Sequence, residues 1–319
     1  MTPRPEPFDV VTGAFSYSGA AIALELQARG RKVRTLTGHP GRAPKKTAVE
    51  VRPLDFDDPT ELAESMRGAN TLYNTYWVRF AHGLLDHDVA VANTRTMFDA
   101  ALMAGVERIV HVSITNPSLH SPYPYFRGKA EVEQLLAEIG ISHAIVRPAI
   151  LFGGDDVLVN NIAWLLRHVP VFAIGGTGDY RVRGIHVEDL ARLCVELGDH
   201  QDINATLDAV GPQSPTFRQL VDAIRTAVDS HAIVVRVPGF VLPAMASALS
   251  LLMRDTLLTR DEYHAMANGL ADSAGPSTGS IVFTDWVAEQ GPRLGRVYAN
   301  ELDRHFRKHL TQKLVGGPT

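Results

Sequence analysis

The sequence predicts an α/β fold, a doubly wound parallel sheet with a smaller, mostly helical C-terminal lobe. Three observations support this prediction: a glycine-containing turn between a strand and a helix near the N-terminus, β-branched runs that alternate with helical segments, and the loss of this alternation in the second half. Such alternation is typical of βαβ units, in which helices cover both faces of a parallel sheet.

The predicted strands follow one another with helical segments between most of them. The first strand, FDVVTG, precedes a helix at 19–30, and the second and third strands, KVRTLT and AVEVRPL, are followed by a helix at 59–67. The fourth, fifth and sixth strands are TLYNTYW, RIVHVSI and SHAIVRPAI, and the helices at 84–104 and 125–139 stand between them. This order predicts a parallel sheet.

The alternation breaks down after LFGGDD, where a helix near 157–168 and a glycine-rich turn, IGGTGDY, follow. The first domain is therefore predicted at 1–154, and residues 185–205, which indicate a strand and a helix, return to it. The second lobe comprises 155–184 and 206–319 and is expected to cover the carboxyl edge of the sheet, where open α/β sheets bind their ligands.

Composition excludes several classes of function. The 319 residues carry a formal net charge of −4, which gives no electrostatic support for binding nucleic acid. Cys194 is the only cysteine, so a disulfide framework within the chain and a cysteine-rich metal site are both excluded. The histidines form no recognised ligand pair, and HGLLDHD at 82–88 has no matching cluster, so no metal site is expected. The N-terminus has no apolar signal region, and a cytoplasmic protein is expected.

The longest apolar run, from Gly239 to Met253, is too short to span a bilayer and contains Pro243. A core or interface helix is the main interpretation of this run. A lid over a hydrophobic substrate and a segment lying on a membrane surface are the alternatives.

The stretch VTGAFSYSGAAIALELQARG, Val11 to Gly30, has the strand-to-helix context of a dinucleotide-binding turn. Gly13 suits the tight turn and Gly19 suits close packing of the helix on the strand, while Ser16 stands where a middle glycine is expected. Its hydroxyl can donate to a phosphate oxygen, or the residue is strained if the turn requires a positive φ. The cofactor is expected along Val11 to Leu36, with contacts in the turn from Gly13, Phe15, Ser16, Tyr17, Ser18 and Gly19.

The loop after the second strand, RTLTGHPGRAPKK, has no carboxylate for the ribose hydroxyls of NAD. It carries His39, Arg42, Lys45 and Lys46, and cations suit a 2′-phosphate. NADP(H) is therefore the preferred cofactor and NAD(H) the second choice, with a solvated basic loop as the alternative interpretation. Asp55 in PLDFDD is a candidate adenine contact, and a helix N-cap role for one of these aspartates competes with it. The predicted cofactor contacts also include Phe56, Asn74, Lys129 and Pro148.

Tyr125 and Lys129 in PYPYFRGKAEVEQLL are four residues apart, on one helical face. A nearby ammonium favours the phenolate form of tyrosine, which makes tyrosine a usable acid and base. Ser113 and Thr115, two apart at the end of the fifth strand, are candidates to hold the substrate oxygen. A packing tyrosine with a surface lysine is the alternative interpretation.

Together TGAFSYSG, VSIT, YFRGK, VRPAILFGG and GIHVEDLA, over roughly residues 7 to 210, resemble the extended and atypical NAD(P)-binding members of the short-chain dehydrogenase/reductase superfamily. The tail from LLTRDEYHAMANGL to ELDRHF resembles bacterial relatives of the NAD(P)H-binding accessory subunit of respiratory complex I. The resemblance implies a Rossmann fold, with Tyr125 and Lys129 as catalytic residues and Thr115 or Ser113 as their hydroxyl partner.

Two departures from the family pattern concern the site: Ser16 replaces a motif glycine, and the separation of serine and tyrosine is short for the extended branch. The sequence thus predicts an NAD(P)-dependent oxidoreductase or epimerase-like enzyme that acts on a small-molecule carbonyl or alcohol. A cofactor-binding protein with a structural, assembly or redox-sensing role is the rival prediction. A small-molecule substrate, no nucleic acid and no membrane span are expected, and a homodimer is an open alternative.

Overall fold

The computed structural model of the chain describes residues 7–81, 86–256 and 258–300, without the side chains of 248, 249 and 252. Contacts divide the chain into two compact units. The first unit comprises Met1–Gly154, Arg183–Ser214 and Leu270–Phe283, and the second comprises Asp155–Val182, Pro215–Gly269 and Thr284–Thr319.

The first unit contains a seven-stranded, wholly parallel sheet with helices on both faces. Its strands are β1 Phe8–Thr12, β2 Lys32–Thr37, β3 Glu50–Pro53, β4 Ala69–Asn74, β5 Arg108–Val112, β6 Ser142–Pro148 and, later in the chain, β10 Ala205–Ala209. Its helices are α1 Tyr17–Ala28, α2 Pro59–Met66, α3 His87–Ala104, α4 Pro124–Glu138 and α6 Val187–Asp199. A second, two-stranded parallel sheet pairs β7 Ile150–Phe152 with β9 Gly184–His186.

The strand order in the large sheet is β10-β6-β5-β4-β1-β2-β3. From β1 the chain proceeds outward through β2 and β3, then crosses to β4 and proceeds the other way, so the direction of winding reverses between β1 and β4. A reversal of this kind opens a crevice at the carboxyl ends of the two central strands, and ligands of open α/β sheets bind there. The predicted fold class is confirmed, although the sequence pattern did not indicate β10.

Neighbouring residues of each strand contribute to opposite layers, because side chains alternate across a strand. Val10, Leu72 and Ile109 pack in one buried cluster with residues of α2, α3 and α4. Val11 and Val110 pack in the other cluster, with residues of α1 and α6. These two layers fix the sheet and therefore the positions of the loops at its carboxyl edge.

The second unit contains the two-stranded parallel sheet of β8 Val171–Gly175 and β11 Ile233–Val237. Its helices are α5 Leu158–His168, α7 Phe217–Ala227, α8 Leu242–Met253, α9 Arg260–Ala267 and α10 Phe283–Gln290, of which the last begins at the final residue of the first unit. Within the described ranges, every helix is too short or too polar to cross a bilayer.

Candidate functional site

The turn between β1 and α1 is closed by backbone contacts that require glycine at two positions. Gly13 has a φ of +64°, and its N–H donates to the carbonyl of Leu36 at 2.8 Å. A Cβ added at Gly19 would lie 2.3 Å from the carbonyl oxygen of Gly13 and 2.9 Å from that of Thr12. Both distances are too short for real contacts, so Gly19 lets the first turn of α1 approach the end of β1.

Ser16 precedes α1 in extended conformation, with a φ of −97° and a ψ of 174°. The positive φ that would strain a serine at this position is absent. Its hydroxyl donates to the carbonyl of Gly13 at 2.6 Å. This hydrogen bond stabilises the turn. The compact side chain of Ser16 stands at the position of the motif glycine without distorting the backbone.

The first turn of α1 fits an anionic group. Helix geometry leaves its N–H groups without intrahelical partners, Ser16 makes no side-chain cap, and the turn contains no acidic residue. Phe15, just before the helix, is exposed, and Ser18 is half-buried. The hydroxyl of Tyr17 donates to the carbonyl of Gly153 at 2.8 Å, which ties this turn to the segment after β7.

The basic loop after β2 is on the surface. Both His39 and Arg42 are exposed, and Pro40–Arg42 forms a short 3₁₀ turn. Partial burial and the neighbouring Arg42 guanidinium lower the pKa of His39 below its ordinary value, which favours the neutral ring. The lasting positive charge of this turn is therefore that of Arg42.

One aspartate after β3 takes the helix N-cap role that the sequence left open. The carboxylate of Asp58 caps α2 by accepting from the N–H of Glu61 at 3.0 Å. Asp55 is exposed and accepts from the N–H of Asp57 at 3.0 Å. The ring of Phe56, beside it, lies 4.9 Å from that of Tyr76, centroid to centroid.

Asn74, a predicted cofactor contact, is completely buried at the end of β4. Its amide nitrogen donates to Nδ1 of His111 at 3.0 Å, and its amide oxygen accepts from the N–H of Tyr76 at 2.9 Å. This pattern places the remaining ring proton of His111 on Nε2. Burial and the nearby Lys129 ammonium lower the pKa of His111 well below its usual value. Both polar atoms of the Asn74 side chain are therefore used in hydrogen bonds within the protein, and the bond to His111 joins β4 to β5.

The two candidate hydroxyls after β5 differ in their hydrogen bonds. Both are buried, and Thr115 donates through its Oγ1 to the carbonyl of Leu270 at 3.0 Å. Its N–H donates to the carbonyl of Pro148, the buried last residue of β6, at 3.0 Å. The hydroxyl of Ser113 has no hydrogen-bond partner among the residues that the structure describes. Ser113 is therefore the hydroxyl with unused hydrogen-bonding capacity.

Lys129 is almost fully buried, with 2% of its side chain exposed. Its Nζ donates to the carbonyl of Val112, the last residue of β5, at 2.8 Å, and lies 4.5 Å from the centre of the Trp77 ring. Burial lowers the pKa of Lys129 to about 7, against a smaller opposite effect of Glu133. A carbonyl and an aromatic face stabilise a cation, but they do not replace all of its hydration.

Tyr125 stands one turn before Lys129 on α4 and is half-buried. Its ring meets that of Trp77 edge to face at 5.8 Å and that of His87 at 5.6 Å, centroid to centroid. The rings of Trp77 and His87 are parallel and 6.0 Å apart. Tyr125 and Lys129 thus share the Trp77 ring as a neighbour, and the ring fixes their relative position.

Sequence reasoning missed three residues here: Trp77, His87 and His111. Trp77 is the last residue of the predicted strand TLYNTYW, and that position was a usable signal, because ligand-binding residues of parallel sheets concentrate at the carboxyl ends of their strands. The partnership of His111 with Asn74 depends on the pairing of β4 with β5, and a single sequence carries no signal for it. Groups of three or more metal-ligating side chains are absent from the described part of the chain.

Comparison with protein families agrees with this geometry. Residues 13–201 match a family model described as NAD(P)H-binding. The match begins at the glycine of the turn after β1 and ends just beyond α6, so it includes the turn, the basic loop, Ser113, Tyr125 and Lys129.

Curated relatives include an uncharacterized protein of Mycobacterium tuberculosis, 30% identical over 216 residues, which are 67% of this chain and 23% of that protein. Another is the mitochondrial NADH-ubiquinone oxidoreductase 40 kDa subunit of Neurospora crassa, 24% identical over 211 residues, 66% of this chain and 55% of the subunit. The chain thus spans about a quarter of the first relative and about half of the second.

Among solved structures, the Escherichia coli NADPH-dependent quinone oxidoreductase complexed with NADPH aligns with a TM-score of 0.72 and 17% identity. The alignment covers 88% of this chain and 99% of the oxidoreductase. At this identity, the likeness establishes the shared fold.

Proposed function

Because the chain belongs to the NAD(P)H-binding family, we propose that it is an oxidoreductase or epimerase-like enzyme of the short-chain dehydrogenase/reductase type. It transfers hydride at a carbonyl or alcohol carbon of a small molecule. The observation that carries this proposal is the combination of Ser113, Tyr125 and Lys129 in the unit that also holds the glycine turn. The hydroxyl of Ser113 has no hydrogen-bond partner among the described residues, and the amine of Lys129 is buried on a backbone carbonyl.

The residues of the turn fit a pyrophosphate. Gly13 and Gly19 let the turn close tightly on the end of β1, and the uncapped first turn of α1 presents N–H groups that suit an anion. When bound, a nicotinamide cofactor supplies or accepts the hydride. The protein's own task is then to hold the substrate oxygen and to move its proton.

Ser113 and Tyr125 divide this task between them. In the proposal, the hydroxyl of Ser113 donates a hydrogen bond to the substrate oxygen, and the hydroxyl of Tyr125 exchanges a proton with that oxygen. We assign the hydrogen bond to Ser113 rather than Thr115, because the hydroxyl of Thr115 is already used by the carbonyl of Leu270. This assignment resolves an alternative that the sequence leaves open.

Lys129 acts on Tyr125 electrostatically in this proposal. Its ammonium is held on the carbonyl of Val112 and over Trp77, whose ring also contacts Tyr125. A positive charge at this position favours the ionised form of the phenol. Since the pKa of Lys129 is about 7, this charge is reduced as the pH rises through neutrality.

We propose NADP(H) as the preferred cofactor. The loop after β2 offers the exposed Arg42 and no carboxylate, which suits the 2′-phosphate of NADP(H). The proposed substrate is a small molecule, and the proposed protein works in the cytoplasm without a nucleic-acid partner; self-association as a homodimer is left to measurement.

One observation favours a second candidate function, a cofactor-binding protein without turnover. The relative from Neurospora crassa is named as a subunit of NADH-ubiquinone oxidoreductase, and its match covers 66% of this chain. In this alternative, the site holds the cofactor and the hydroxyls of Ser113 and Tyr125 have no substrate to serve.

The experiment that separates the two functions is a substrate screen with NADPH labelled with deuterium at C4 of the dihydronicotinamide. Aldehydes and ketones are incubated with the protein, and the alcohol products are analysed for deuterium. Transfer of the label to a product carbon is the expected result. Tight NADPH binding together with no label transfer across the panel contradicts the enzyme and favours the binding protein.

A further inference from the structure

The helix α8 of the second unit has an apolar composition that is typical of buried helices, but its described side chains are exposed or half-buried. Its sequence, LPAMASALSLLM from Leu242 to Met253, contains no charged residue. None of the α8 side chains that the structure describes is buried. Leu251 is 82% exposed and Met245 is 45% exposed, and Phe240, two residues before the helix, is 82% exposed.

The exposed residues of α8 occupy one side of the helix. Ala244, Ser247 and Leu251 are spaced three and four residues apart, and Met245 lies beside them on the helical surface. Ser247 is the polar member of this group, and its hydroxyl donates to the carbonyl of Pro243 at 2.8 Å within the helix. Because this hydrogen bond is internal, Ser247 can leave water at little cost.

Basic residues accompany this apolar face. Arg236 precedes it at the end of β11 and Arg254 follows α8 directly, and both are exposed; Arg260, which begins α9, is followed at once by the exposed Asp261 and adds no net charge. The only acidic residue between 230 and 260 is Asp255. Asp255 is buried and accepts from the hydroxyl of Tyr298 at 2.5 Å, so its carboxylate does not offset the arginines at the surface.

We propose that Phe240 and α8 form a docking surface for an anionic membrane, on which the helix lies in the plane of the interface. The apolar face enters the boundary between headgroups and acyl chains, and the arginines contact lipid phosphates with their stems along the apolar surface. Twelve residues of helix extend about 18 Å, which is sufficient to lie on a bilayer and insufficient to cross it.

The charges favour a lipid surface over a second copy of the chain. A twofold interface through α8 brings each patch against its own equivalent, so arginines of one copy approach arginines of the other. Like charges at such an interface weaken association, whereas the same charges strengthen binding to anionic headgroups. The docking surface belongs to the second unit, whereas Ser113, Tyr125 and Lys129 belong to the first.

The test is flotation of the full chain with vesicles of phosphatidylcholine alone and of phosphatidylcholine mixed with phosphatidylglycerol. We expect the protein to float with the anionic vesicles and to be released by high salt. Leu251→Glu places a charge on the apolar face and is expected to weaken vesicle binding by about tenfold or more. Arg254→Gln is expected to weaken it about fivefold.

Leu102→Glu is the matched control, because Leu102 is an apolar side chain of α3 that is 51% exposed. This variant is expected to float as the unchanged protein does, and circular dichroism confirms the folding of each variant. The proposal is overturned if the unchanged protein does not float, or if Leu102→Glu lowers binding as much as Leu251→Glu. Sedimentation velocity gives a further test. A dimer that Leu251→Glu dissociates, together with flotation that is the same for every variant and every vesicle composition, also overturns the proposal.

Discussion

Lys129 shows how a single buried charge links stability to chemistry. The residue keeps an amine in the protein interior with a carbonyl and an indole ring as its neighbours. Burial without a carboxylate ligand costs stability while the amine is protonated. A purely structural position is more easily filled by an apolar residue, so the amine at this position points to a role beyond packing.

Lys129→Met tests this account through the pH dependence of stability. The folded-state pKa is lowered from 10.5 to about 7, so between these values the unfolded chain binds the additional proton. Stability therefore rises with pH in this window. We expect the free energy of unfolding of the unchanged protein to gain on that of Lys129→Met from pH 7 to 10, by on the order of a few kcal/mol.

Urea unfolding at several pH values measures the difference, and Lys45→Met is the control, because Lys45 is exposed. A parallel pH dependence for Lys129→Met and the unchanged protein contradicts the lowered pKa.

Ser113 and Thr115 give a matched pair of variants. Ser113→Ala removes a buried hydroxyl that has no partner among the described residues, so we expect stability to hold and kcat to fall at least about tenfold. Thr115→Val removes one of two donors to the carbonyl of Leu270, the other being the side-chain amide of Asn116 at 3.1 Å, and is expected to lower the free energy of unfolding by about 1 kcal/mol.

Thermal unfolding and steady-state kinetics of both variants measure the two effects. The opposite pattern, a larger loss of kcat in Thr115→Val at unchanged stability, transfers the catalytic hydroxyl to Thr115.

At the scale of elements, the turn and the helix after β1 explain why a tight glycine turn was predictable at this position. Glycines at 13 and 19 have local steric causes, a positive φ and a Cβ at 2.3 Å from a carbonyl, and such causes leave a signal in the sequence. The behaviour of Ser16 was not predictable in the same way. Its hydroxyl donates to the carbonyl of Gly13, whereas the sequence equally allows donation to a phosphate oxygen.

Substitutions of Ser16 test whether a ligand approaches this turn. Ser16→Gly removes the hydrogen bond to Gly13 but adds no atoms, so NADPH affinity is expected to change by less than about threefold. Ser16→Leu places a branched side chain before the first turn of α1 and is expected to raise the Kd for NADPH more than about a hundredfold. Titration calorimetry measures both. Unchanged affinity in folded Ser16→Leu means that the phosphates bind elsewhere.

The basic loop after β2 predicts the choice of cofactor. We expect a lower Kd for NADPH than for NADH, and Arg42→Ala is expected to reduce this preference about tenfold by removing a charge-assisted contact to the 2′-phosphate. Titrations with both cofactors give the two ratios. Arg95→Ala is the control, because Arg95 is an exposed arginine of α3. Tighter binding of NADH than of NADPH contradicts this prediction and means that the basic loop is solvated rather than in contact with the cofactor.

At the scale of the whole molecule, the alternation of strands and helices predicted six of the seven strands of the large sheet. The alternation of buried side chains along each strand is a local pattern that the sequence carries, and it also explains the two layers of the core. The sequence did not predict β10, because Ala205–Ala209 is an edge strand whose central residues are partly exposed and whose pairing with β6 joins distant parts of the chain. The same reason applies to His87 and His111, whose partners Trp77 and Asn74 are set by tertiary packing.

The central claim is that Tyr125 exchanges a proton with the substrate, and kinetics of Tyr125→Phe test it most directly. The substitution removes one hydroxyl and keeps the ring that packs against Trp77 and His87. With a substrate from the label-transfer screen, we expect kcat to fall about 10²- to 10⁴-fold while the Kd for NADPH stays within about twofold. Turnover of Tyr125→Phe at the rate of the unchanged protein contradicts the mechanism.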